Sequence, residues 1–522
     1  MINRNLLCYG VVHRRRFPSR SGGETLLATD WNSLLMHHYP LRIYPIVLSA
    51  IVLVCILAVP AGGQDVWEII EKEGDRTGVY MLEQGQDAFL VREWMVSNAR
   101  ESIDLMTFIW TMDDIGLVFA QGLLRAADRG VRVRLLLDDF GLGDEPLGIL
   151  LALDAHPDIA VRIYNPKISA GVSLVELVYN FVFQFESFNH RMHNKTMLMD
   201  RRAGITGGRN VANQYFHYDP EMKFLDRDVM ILGKAAQEMD YNFLQYWNAP
   251  LSRPIGELMQ ERKEQLTRES ITDVHTNIHD AARELKTKIP LVREVMQDTE
   301  EKFQAILERV RWTTAKFVSD APDKHAYPEL SGGSMVMETI TSMLDGAQER
   351  ITIESPYFVV PDELLRLFSS SMEKGIDVRV ITNSLASTDN IPTFSGYRSQ
   401  RERLLEMGLE LREFNPHPAF QLDGYEQDGK RVVLHAKTVV VDGATVFVGT
   451  FNIDPRSVNL STEEGVVIED PVLAREVEER MEILMQERNS WNPAEMDPDA
   501  RAGLWRKVKL WFYSLFPLKP YL

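Results

Sequence analysis

Short apolar runs alternate with stretches of helical periodicity over two long parts of the chain, residues 85–250 and 331–490. In both parts, some segments carry apolar residues at helical spacing, whereas others are compact runs of Val, Ile and Leu. The order predicted for the first part is helix 86–98, strand 102–110, helix 116–128, strand 131–137, helix 147–153 and strand 161–164. Strands that alternate with helices predict an α/β fold, in which mixed sheets are covered by helices.

The second part repeats the first. It opens with a predicted helix at 335–344 and a strand at 351–357, which is the counterpart of 103–109. The segment M-E-K-G-I-D-V-R at 372–379 aligns with A-D-R-G-V-R-V-R at 127–134. Matching positions in the two parts are about 245 residues apart throughout. An internal duplication of this kind predicts two similar halves, related by a pseudo-two-fold axis and packed along a shared seam.

The motif H-x-K-x-x-x-x-D occurs once in each half. Its members are His193, Lys195 and Asp200 in the first half, and His435, Lys437 and Asp442 in the second. The residues that follow each Lys favour a strand, and side chains alternate faces along a strand, so each His and Lys point the same way. The Asp has the other parity and falls at a predicted turn, which makes it a turn residue off the reacting face.

Each motif is followed by a glycine-containing tail that ends in an asparagine, G-G-R-N before Val211 and G-T-F-N before Ile453. A turn near 201–202 returns the chain so that Asn210 lies beside the first histidine. A turn at Asp442-Gly443 does the same for Asn452. Each half therefore predicts one cluster of His, Lys and Asn, and the two clusters would meet at the seam.

Two histidines, two lysines and two asparagines around one point suit phosphodiester chemistry. The lysines and asparagines would hold the non-bridging phosphate oxygens. One histidine would attack phosphorus, and the other would transfer the proton. No metal site and no cofactor are predicted, because the motif places a Lys where a metal ligand would stand.

Each histidine requires an acidic partner that sets its tautomer. Asp226 and Glu463 follow the two motifs at similar distances and are the candidates. For either acid taken alone, a surface ion pair is the alternative.

Composition restricts the partners of the protein. The chain has 522 residues and a formal net charge of -18 at pH 7, which argues against broad nucleic-acid affinity because that needs a basic face. Its two cysteines, Cys8 and Cys55, both lie near the N-terminus. Disulfides and thiolate metal sites therefore have no part in the two halves.

Residues 1–64 are predicted to be an N-terminal extension that carries a signal or a membrane anchor. The apolar run 46–59 is short for a spanning helix, which needs roughly 17 to 25 residues. It fits the apolar region of a secretory signal, with Val59-Pro60-Ala61 as a cleavage candidate, while an uncleaved anchor and a buried core helix are the alternatives. Arg42 precedes the run and acidic residues follow it, so the remainder would lie across the membrane.

Two further regions lie outside the duplicated halves. Residues 251–330 are charged and mostly helical, and they are predicted to be an insertion with a solvated face and no role in the site. The tail, 491–522, mixes aromatic and basic residues around Trp505 to Tyr513. Such a segment is typical of a helix that lies in a membrane interface; a helix docked on the core is the alternative.

The paired motifs, with their matched tails, resemble the phospholipase D superfamily. Segments such as N-H-R-M-H-N-K at 189–195 and G-T-F-N-I-D-P-R-S at 449–457 are similar to the bacterial cardiolipin synthase C-type branch. The resemblance covers roughly 86–467 and implies a duplicated phospholipase D fold with the active site at the seam. It implies His193 as nucleophile, His435 as acid and base, and Lys195, Lys437, Asn210, Asn452 and Thr450 as phosphate-binding residues. Gly208 departs from the pattern, because a small hydroxyl residue is usual there.

The resemblance implies a phosphatidyltransferase that makes cardiolipin through a phosphohistidine intermediate. Its substrates would be phosphatidylglycerol and a second phospholipid, with phosphatidylethanolamine as a candidate, at a membrane surface of the bacterial cell envelope. The N-terminal signal or anchor, and not the resemblance, predicts that the catalytic part lies on the periplasmic side. Phospholipase D hydrolysis is the closest alternative, since water and a lipid alcohol compete for the same intermediate. A nuclease on the same scaffold and a lipid-binding protein without activity are the remaining alternatives.

Overall fold

The computed structural model describes residues 65–324, 334–419 and 429–516. The signal or anchor predicted within residues 1–64 lies outside these ranges. Among the described residues, no helix combines the length and the apolar character that crossing a bilayer requires.

The first half contains ten strands and seven α-helices among the described residues. The strands are β1 (Thr77–Leu82), β2 (Ser102–Thr107), β3 (Arg132–Asp138), β4 (Ile159–Tyr164), β5 (Arg191–Met192), β6 (Thr196–Met199), β7 (Ala203–Gly207), β8 (Met222–Leu225), β9 (Asp228–Gly233) and β10 (Ser252–Pro254). The helices are α1 (Val66–Glu73), α2 (Gly85–Asn98), α3 (Asp114–Asp128), α4 (Asp144–Leu153), α5 (Leu174–Phe183), α6 (Phe185–Asn189) and α7 (Lys234–Asn248).

Five helices follow: α8 (Ile255–Leu258), α9 (Gln260–Gln265), α10 (Arg268–Lys288), α11 (Pro290–Met296) and α12 (Thr299–Leu307). The second half then has strands β11 (Arg311–Ser319), β12 (Arg350–Glu354), β13 (Asp377–Asn383), β14 (Glu410–Phe414), β15 (Arg431–Leu434), β16 (Thr438–Val441), β17 (Thr445–Gly449), β18 (Ser461–Thr462), β19 (Glu464–Glu469) and β20 (Ser490–Trp491). Its helices are α13 (Met335–Asp345), α14 (Asp362–Glu373), α15 (Ile391–Arg398), α16 (Arg401–Glu406), α17 (Pro455–Asn459), α18 (Pro471–Met485) and α19 (Leu504–Ser514).

One mixed sheet of sixteen strands runs through both halves. Its order is β10-β4-β3-β2-β6-β7-β9-β1-β11-β19-β17-β16-β12-β13-β14-β20. Counting outward from the central β1–β11 pair, every strand of the first half stands opposite the strand numbered ten higher. The prediction of a duplicated α/β fold with pseudo-two-fold symmetry is confirmed, and the two half-sheets are joined edge to edge by antiparallel pairing of β1 with β11.

The predicted insertion is shorter than residues 251–330. Ser252–Pro254 pairs with β4 at the outer edge of the sheet, and Arg311–Ser319 is a central strand. The sequence does not predict Arg311–Ser319 as a strand. Much of this strand is only partly buried, so charged and exposed positions interrupt its apolar pattern. Between them, the helices of the insertion dock on the first half, where Phe303 stacks on Trp94 with ring centroids 3.5 Å apart.

The tail helix α19 is docked and also exposes apolar surface. Arg506 donates hydrogen bonds to the carbonyls of Leu385 and Thr388. Leu510 and Tyr513 pack against the hydrophobic core of the second half. Its outward residues stay in solvent; Trp505 is 78% exposed and Trp511 is 62% exposed. The two alternatives for the tail are therefore not exclusive, because one face of the helix is attached and the other is open.

Candidate active site

Each motif ends in a hairpin whose paired strands are joined by three residues, β6–β7 in the first half and β16–β17 in the second. The central residues Asp200 and Arg201 have φ values of 51° and 60°, and Asp442 and Gly443 have 54° and 56°. Positive φ at both positions is characteristic of a type I′ turn, whose backbone twist matches that of the paired strands. Only the second copy places a glycine there.

The motif aspartates hold the hairpins in place. Asp200 accepts backbone hydrogen bonds from Arg100, Glu101 and Ser102, at the start of β2. Asp442 accepts the equivalent bonds from 348–350, at the start of β12. Both carboxylates lie at the opposite end of the strand from the histidine. Their geometry is that of turn residues, and it places neither of them among the reacting groups.

The two histidines contact acids from the opposite half. His193 Nδ1 lies 2.9 Å from Glu463 Oε2, and His435 Nδ1 lies 2.6 Å from Asp226 Oδ2. All four side chains are largely buried. Because each Nδ1 is engaged, each Nε2 is the ring nitrogen left for chemistry.

Strand pairing between the halves explains this exchange. β8 runs parallel to β15 with Leu225 opposite Leu434, so the next residues, Asp226 and His435, are neighbours. β18 runs parallel to β5 with Thr462 opposite Met192, which brings Glu463 beside His193 in the same way. These short strands form two small sheets of their own, and both cross the seam.

The residues after the two acids also act across the seam. Glu464 accepts hydrogen bonds from Lys195 N and from the hydroxyls of Thr196 and Thr206. At the corresponding position Arg227 donates to Thr438 Oγ1 and to Glu354. Sequence reasoning missed both, although the pairs Asp226-Arg227 and Glu463-Glu464 stand at matching places in the two halves.

The lysines lie beside their histidines, in the short breaks that separate β5 from β6 and β15 from β16. Lys195 Nζ donates to His193 O at 2.6 Å, and Lys437 Nζ donates to His435 O. Burial lowers the pKa of Lys195 to about 7 and that of Lys437 to about 8, with neighbouring carboxylates opposing the change.

The two asparagines differ in their contacts. Asn210 donates to Tyr215 OH at 2.8 Å and accepts a hydrogen bond from Ile109 N, so its amide is held by the protein. Asn452 is equally buried, yet its Oδ1 has no hydrogen-bond partner among the described residues. The Asn452 amide is therefore less constrained by the protein than that of Asn210, and its Nδ2 is the group that would donate to a phosphate oxygen.

The hydroxyl of Thr450 contacts an acid rather than standing open. Thr450 Oγ1 donates to Glu463 Oε2 and accepts from Glu464 N. These bonds orient the hydroxyl toward the acid partner of His193, and contact between Thr450 and phosphate stays a prediction. At the matching position, Gly208 leaves room for Asp226, and a Cβ there would lie 2.0 Å from Asp226 Oδ1.

Aromatic rings line the histidines on both sides. Phe108 and His193 meet in a T-shaped arrangement with ring centroids 5.0 Å apart, and Phe108 stacks on Phe140. Phe224 stacks on His435 at 4.9 Å with an interplanar angle of 7°. These residues were not predicted, because isolated aromatic residues in strands and loops carry no spacing signal.

The two histidine–acid pairs have different electrostatics. Burial, followed by Lys195 and Lys437, puts the pKa of His193 well below its usual 6.5, and burial raises the pKa of Glu463 to about 7. Burial also lowers the pKa of His435. Although burial alone would raise the pKa of Asp226, the nearby His435 and Lys437 lower it. At neutral pH, His193 is therefore an uncharged imidazole, whereas His435 stands against a fully ionised carboxylate.

No group of three His, Cys, Asp or Glu side chains in the described ranges is arranged to hold a metal ion.

Comparisons with known proteins agree with this geometry. The family model described as cardiolipin synthase, PLD-like domain matches residues 94–247 and 340–485. Cardiolipin synthase C of Escherichia coli strain K12 is 32% identical over 413 residues, which cover 77% of this chain and 84% of that protein. An uncharacterized protein of Helicobacter pylori strain J99 is 32% identical over 431 residues, which cover 81% of this chain and 82% of that protein.

A solved structure shares the fold. Phosphatidylserine synthase of Haemophilus influenzae Rd KW20 superposes with a TM-score of 0.53 at 15% identity, covering 88% of this chain and 100% of that one. The family model alone spans more than half of the chain. The chain therefore belongs to the phospholipase D-like family of the cardiolipin synthases, as its paired motifs predict.

Proposed function

We propose that this protein transfers a phosphatidyl group from one phospholipid to a hydroxyl of another and so makes cardiolipin. The observation that carries the proposal is the pair of buried histidines, each held at Nδ1 by an acid from the opposite half, with Nε2 left for chemistry. Two such groups around one phosphate allow attack and proton transfer by separate residues.

In the first step, His193 Nε2 attacks phosphorus, and the bond from phosphorus to the headgroup oxygen breaks. His435 Nε2–H donates its proton to that oxygen, so the headgroup leaves as an alcohol. His193 suits the nucleophile because its lowered pKa keeps the ring uncharged at neutral pH. The Asp226 carboxylate suits His435 to carry the proton, because it stabilises the imidazolium form.

In the second step, the acceptor alcohol gives its proton to His435 Nε2, and its oxygen attacks phosphorus. The phosphorus–nitrogen bond breaks and returns His193 to its starting form. Lys195, Lys437 and Asn452 would hold the non-bridging oxygens through both steps. Thr450 would act through Glu463, whose orientation it sets.

The substrates proposed are phosphatidylglycerol and a second phospholipid, with phosphatidylethanolamine as the first candidate. Cardiolipin synthase C of Escherichia coli, which is similar over most of its length, supports a phospholipid substrate. The exposed residues of α19, among them Trp505, Trp511 and Lys509, support association with a membrane surface. A location in the bacterial cell envelope, on the periplasmic side, belongs to the same proposal.

Product analysis tests the proposal. The full-length protein would be incubated, with a chelator present, with labelled phosphatidylglycerol in vesicles that also contain phosphatidylethanolamine. We expect labelled cardiolipin, and omission of phosphatidylethanolamine then shows whether it is a co-substrate. Phosphatidic acid as the sole product would overturn transfer in favour of hydrolysis by the same residues.

A further inference from the structure

A tyrosine and an aspartate meet at the rim of the second half. Tyr357 OH donates to Asp389 Oδ2 at 2.8 Å. Asp389 is exposed, and none of the ion pairs found in the described ranges includes it. An exposed carboxylate held by a tyrosine hydroxyl is well placed to accept further hydrogen bonds, because an ionised Asp has about four lone-pair sites.

The pair is tied to His435 by one buried side chain. Asn383 Nδ2 donates to Pro356 O at 3.2 Å and to Leu434 O at 2.8 Å, and Leu434 N donates to Asn383 Oδ1 at 3.0 Å. The residue before Tyr357 and the residue before His435 are therefore held by the same amide. The segments that carry the tyrosine and the histidine are therefore joined through Asn383.

A second set of bonds ties the tyrosine to the loop that carries Asn452. Ser355 Oγ donates to Tyr357 O at 2.7 Å and accepts from Ile453 N at 3.2 Å. The backbone of Tyr357 is thus linked through Ser355 to the loop that carries Asn452, and through Asn383 to the strand that precedes His435. The charge of Asp389 reaches the site as well, since it opposes the fall that burial causes in the pKa values of His435 and Lys437.

No such pair is found among the described side chains of the first half. Tyr357 corresponds to Ile109, as the equivalent bridges of the next residues, Trp110 to Val211 and Phe358 to Ile453, make clear. On the His193 side, the neighbouring surface is the stacked pair Phe108 and Phe140. The His435 side therefore carries a polar pair, in addition to the stacked ring of Phe224, at a position where the first half has Ile109.

Attack in line with the departing oxygen places the headgroup on the side away from the nucleophile. If His193 attacks, the headgroup that leaves, and the alcohol that replaces it, occupy the His435 side. We propose that Asp389 and Tyr357 form a headgroup subsite that binds the hydroxyl or ammonium group of these alcohols. This inference rests on the proposed function and adds the feature that selects the acceptor.

The tail helix holds this subsite in place. Arg506 of α19 donates to the carbonyls of Leu385 and Thr388, and the second of these immediately precedes Asp389. The tail helix α19, which exposes apolar residues to solvent, is thereby hydrogen-bonded to the loop that carries Asp389.

Competition between short alcohols tests the subsite. The full-length protein would receive labelled phosphatidylglycerol in mixed vesicles with equal amounts of 1-propanol and either 1,3-propanediol or ethanolamine. 1,3-Propanediol has one hydroxyl more than 1-propanol. Ethanolamine has an ammonium group where 1-propanol has its methyl group. We expect the native protein to favour the diol and ethanolamine over propanol.

Asp389→Asn should lower these two product ratios by about tenfold, the scale of one hydrogen bond to a charged group. Tyr357→Phe should lower them by a smaller factor, because the carboxylate remains. Asp362→Asn, at an exposed position at the start of α14, is the matched control and should leave the ratios as they are. A ratio is formed within one preparation, so loss of folded protein does not alter it.

Ratios that stay unchanged in Asp389→Asn, while transfer to alcohols continues, would overturn the subsite and leave the proposed function standing. If the native protein used water alone and transferred to no alcohol, both proposals would be wrong.

Discussion

Gly208 packs directly against the carboxylate of Asp226. A methyl group built on Gly208 would lie 2.0 Å from Asp226 Oδ1 and 2.7 Å from its carboxyl carbon, far closer than real atoms approach. The matching residue of the second half, Thr450, instead donates a hydrogen bond to the longer side chain of Glu463. The two halves therefore support their acids differently. In the first half Gly208 leaves space for Asp226, whereas in the second half the Thr450 hydroxyl holds Glu463 by a hydrogen bond.

Gly208→Ala should consequently lower the rate of phosphatidyl transfer by about a hundredfold, since a shift of about 1 Å in a positioned group has an effect of that size. The added methyl would push Asp226 away from His435 Nδ1. Transfer rate and circular dichroism would be measured together. Gly148→Ala is the control, because a Cβ there meets nothing within 4 Å. A Gly208→Ala protein with the native rate would show that Asp226 has room to move.

His193→Ala should abolish turnover and leave the fold intact, because the ring contributes its Nε2 to the reaction while its neighbours hold the hairpin. When the donor lipid carries a label in its acyl chains, the native protein should become covalently labelled during turnover, and this variant should not. The measurement is turnover together with covalent labelling after rapid quenching. Substantial residual turnover would remove His193 from the role of nucleophile. Mutation of the exposed His417 to Ala serves as the matched control.

Glu463 should make stability depend on pH. Burial raises its pKa from 4.5 to about 7 in the folded protein, so the native state keeps a proton that the unfolded chain releases between those values. Its contribution to stability is therefore full below pH 4.5 and is lost as the pH rises toward 7. Glu463→Gln mimics the protonated form and removes this loss.

The Tm of the native protein and of Glu463→Gln would be compared at pH 5 and pH 8. We expect the substitution to be more favourable, or less unfavourable, at pH 8 than at pH 5. Because both proteins share every other titrating group, the difference between the two comparisons isolates Glu463. Equal changes in Tm at both pH values would mean that Glu463 is already ionised at pH 5.

The exposed aromatic residues of α19 should bind lipid. Replacing Trp505 and Trp511 by Ala removes two large side chains that are 78% and 62% exposed, without touching the Arg506 bonds that dock the helix. Burial of one such side chain is worth about 1.5 to 3 kcal/mol, so sedimentation with anionic vesicles should weaken by at least about tenfold. Tyr241→Ala, 67% exposed on α7, is the control. Unchanged sedimentation would leave α19 as a docked helix only.

The sequence alone determined the duplicated α/β fold, because the two halves carry the same order of apolar runs and helical segments. It also predicted the His-Lys clusters from alternation along an extended chain, although His193 and Lys195 lie in the break between β5 and β6. The turn aspartates followed from the same local rule. Such features depend on residues that are close in the chain, where periodicity and turn chemistry are sufficient.

The tertiary structure decided which acid meets which histidine. Asp226 reaches His435 through the pairing of β8 with β15, and these strands are about two hundred residues apart in the chain. The same holds for the Tyr357–Asp389 pair, for the central position of β11 and for the lack of space at Gly208. Contacts between distant segments depend on how whole elements pack, and local patterns of polar and apolar residues carry no record of that packing.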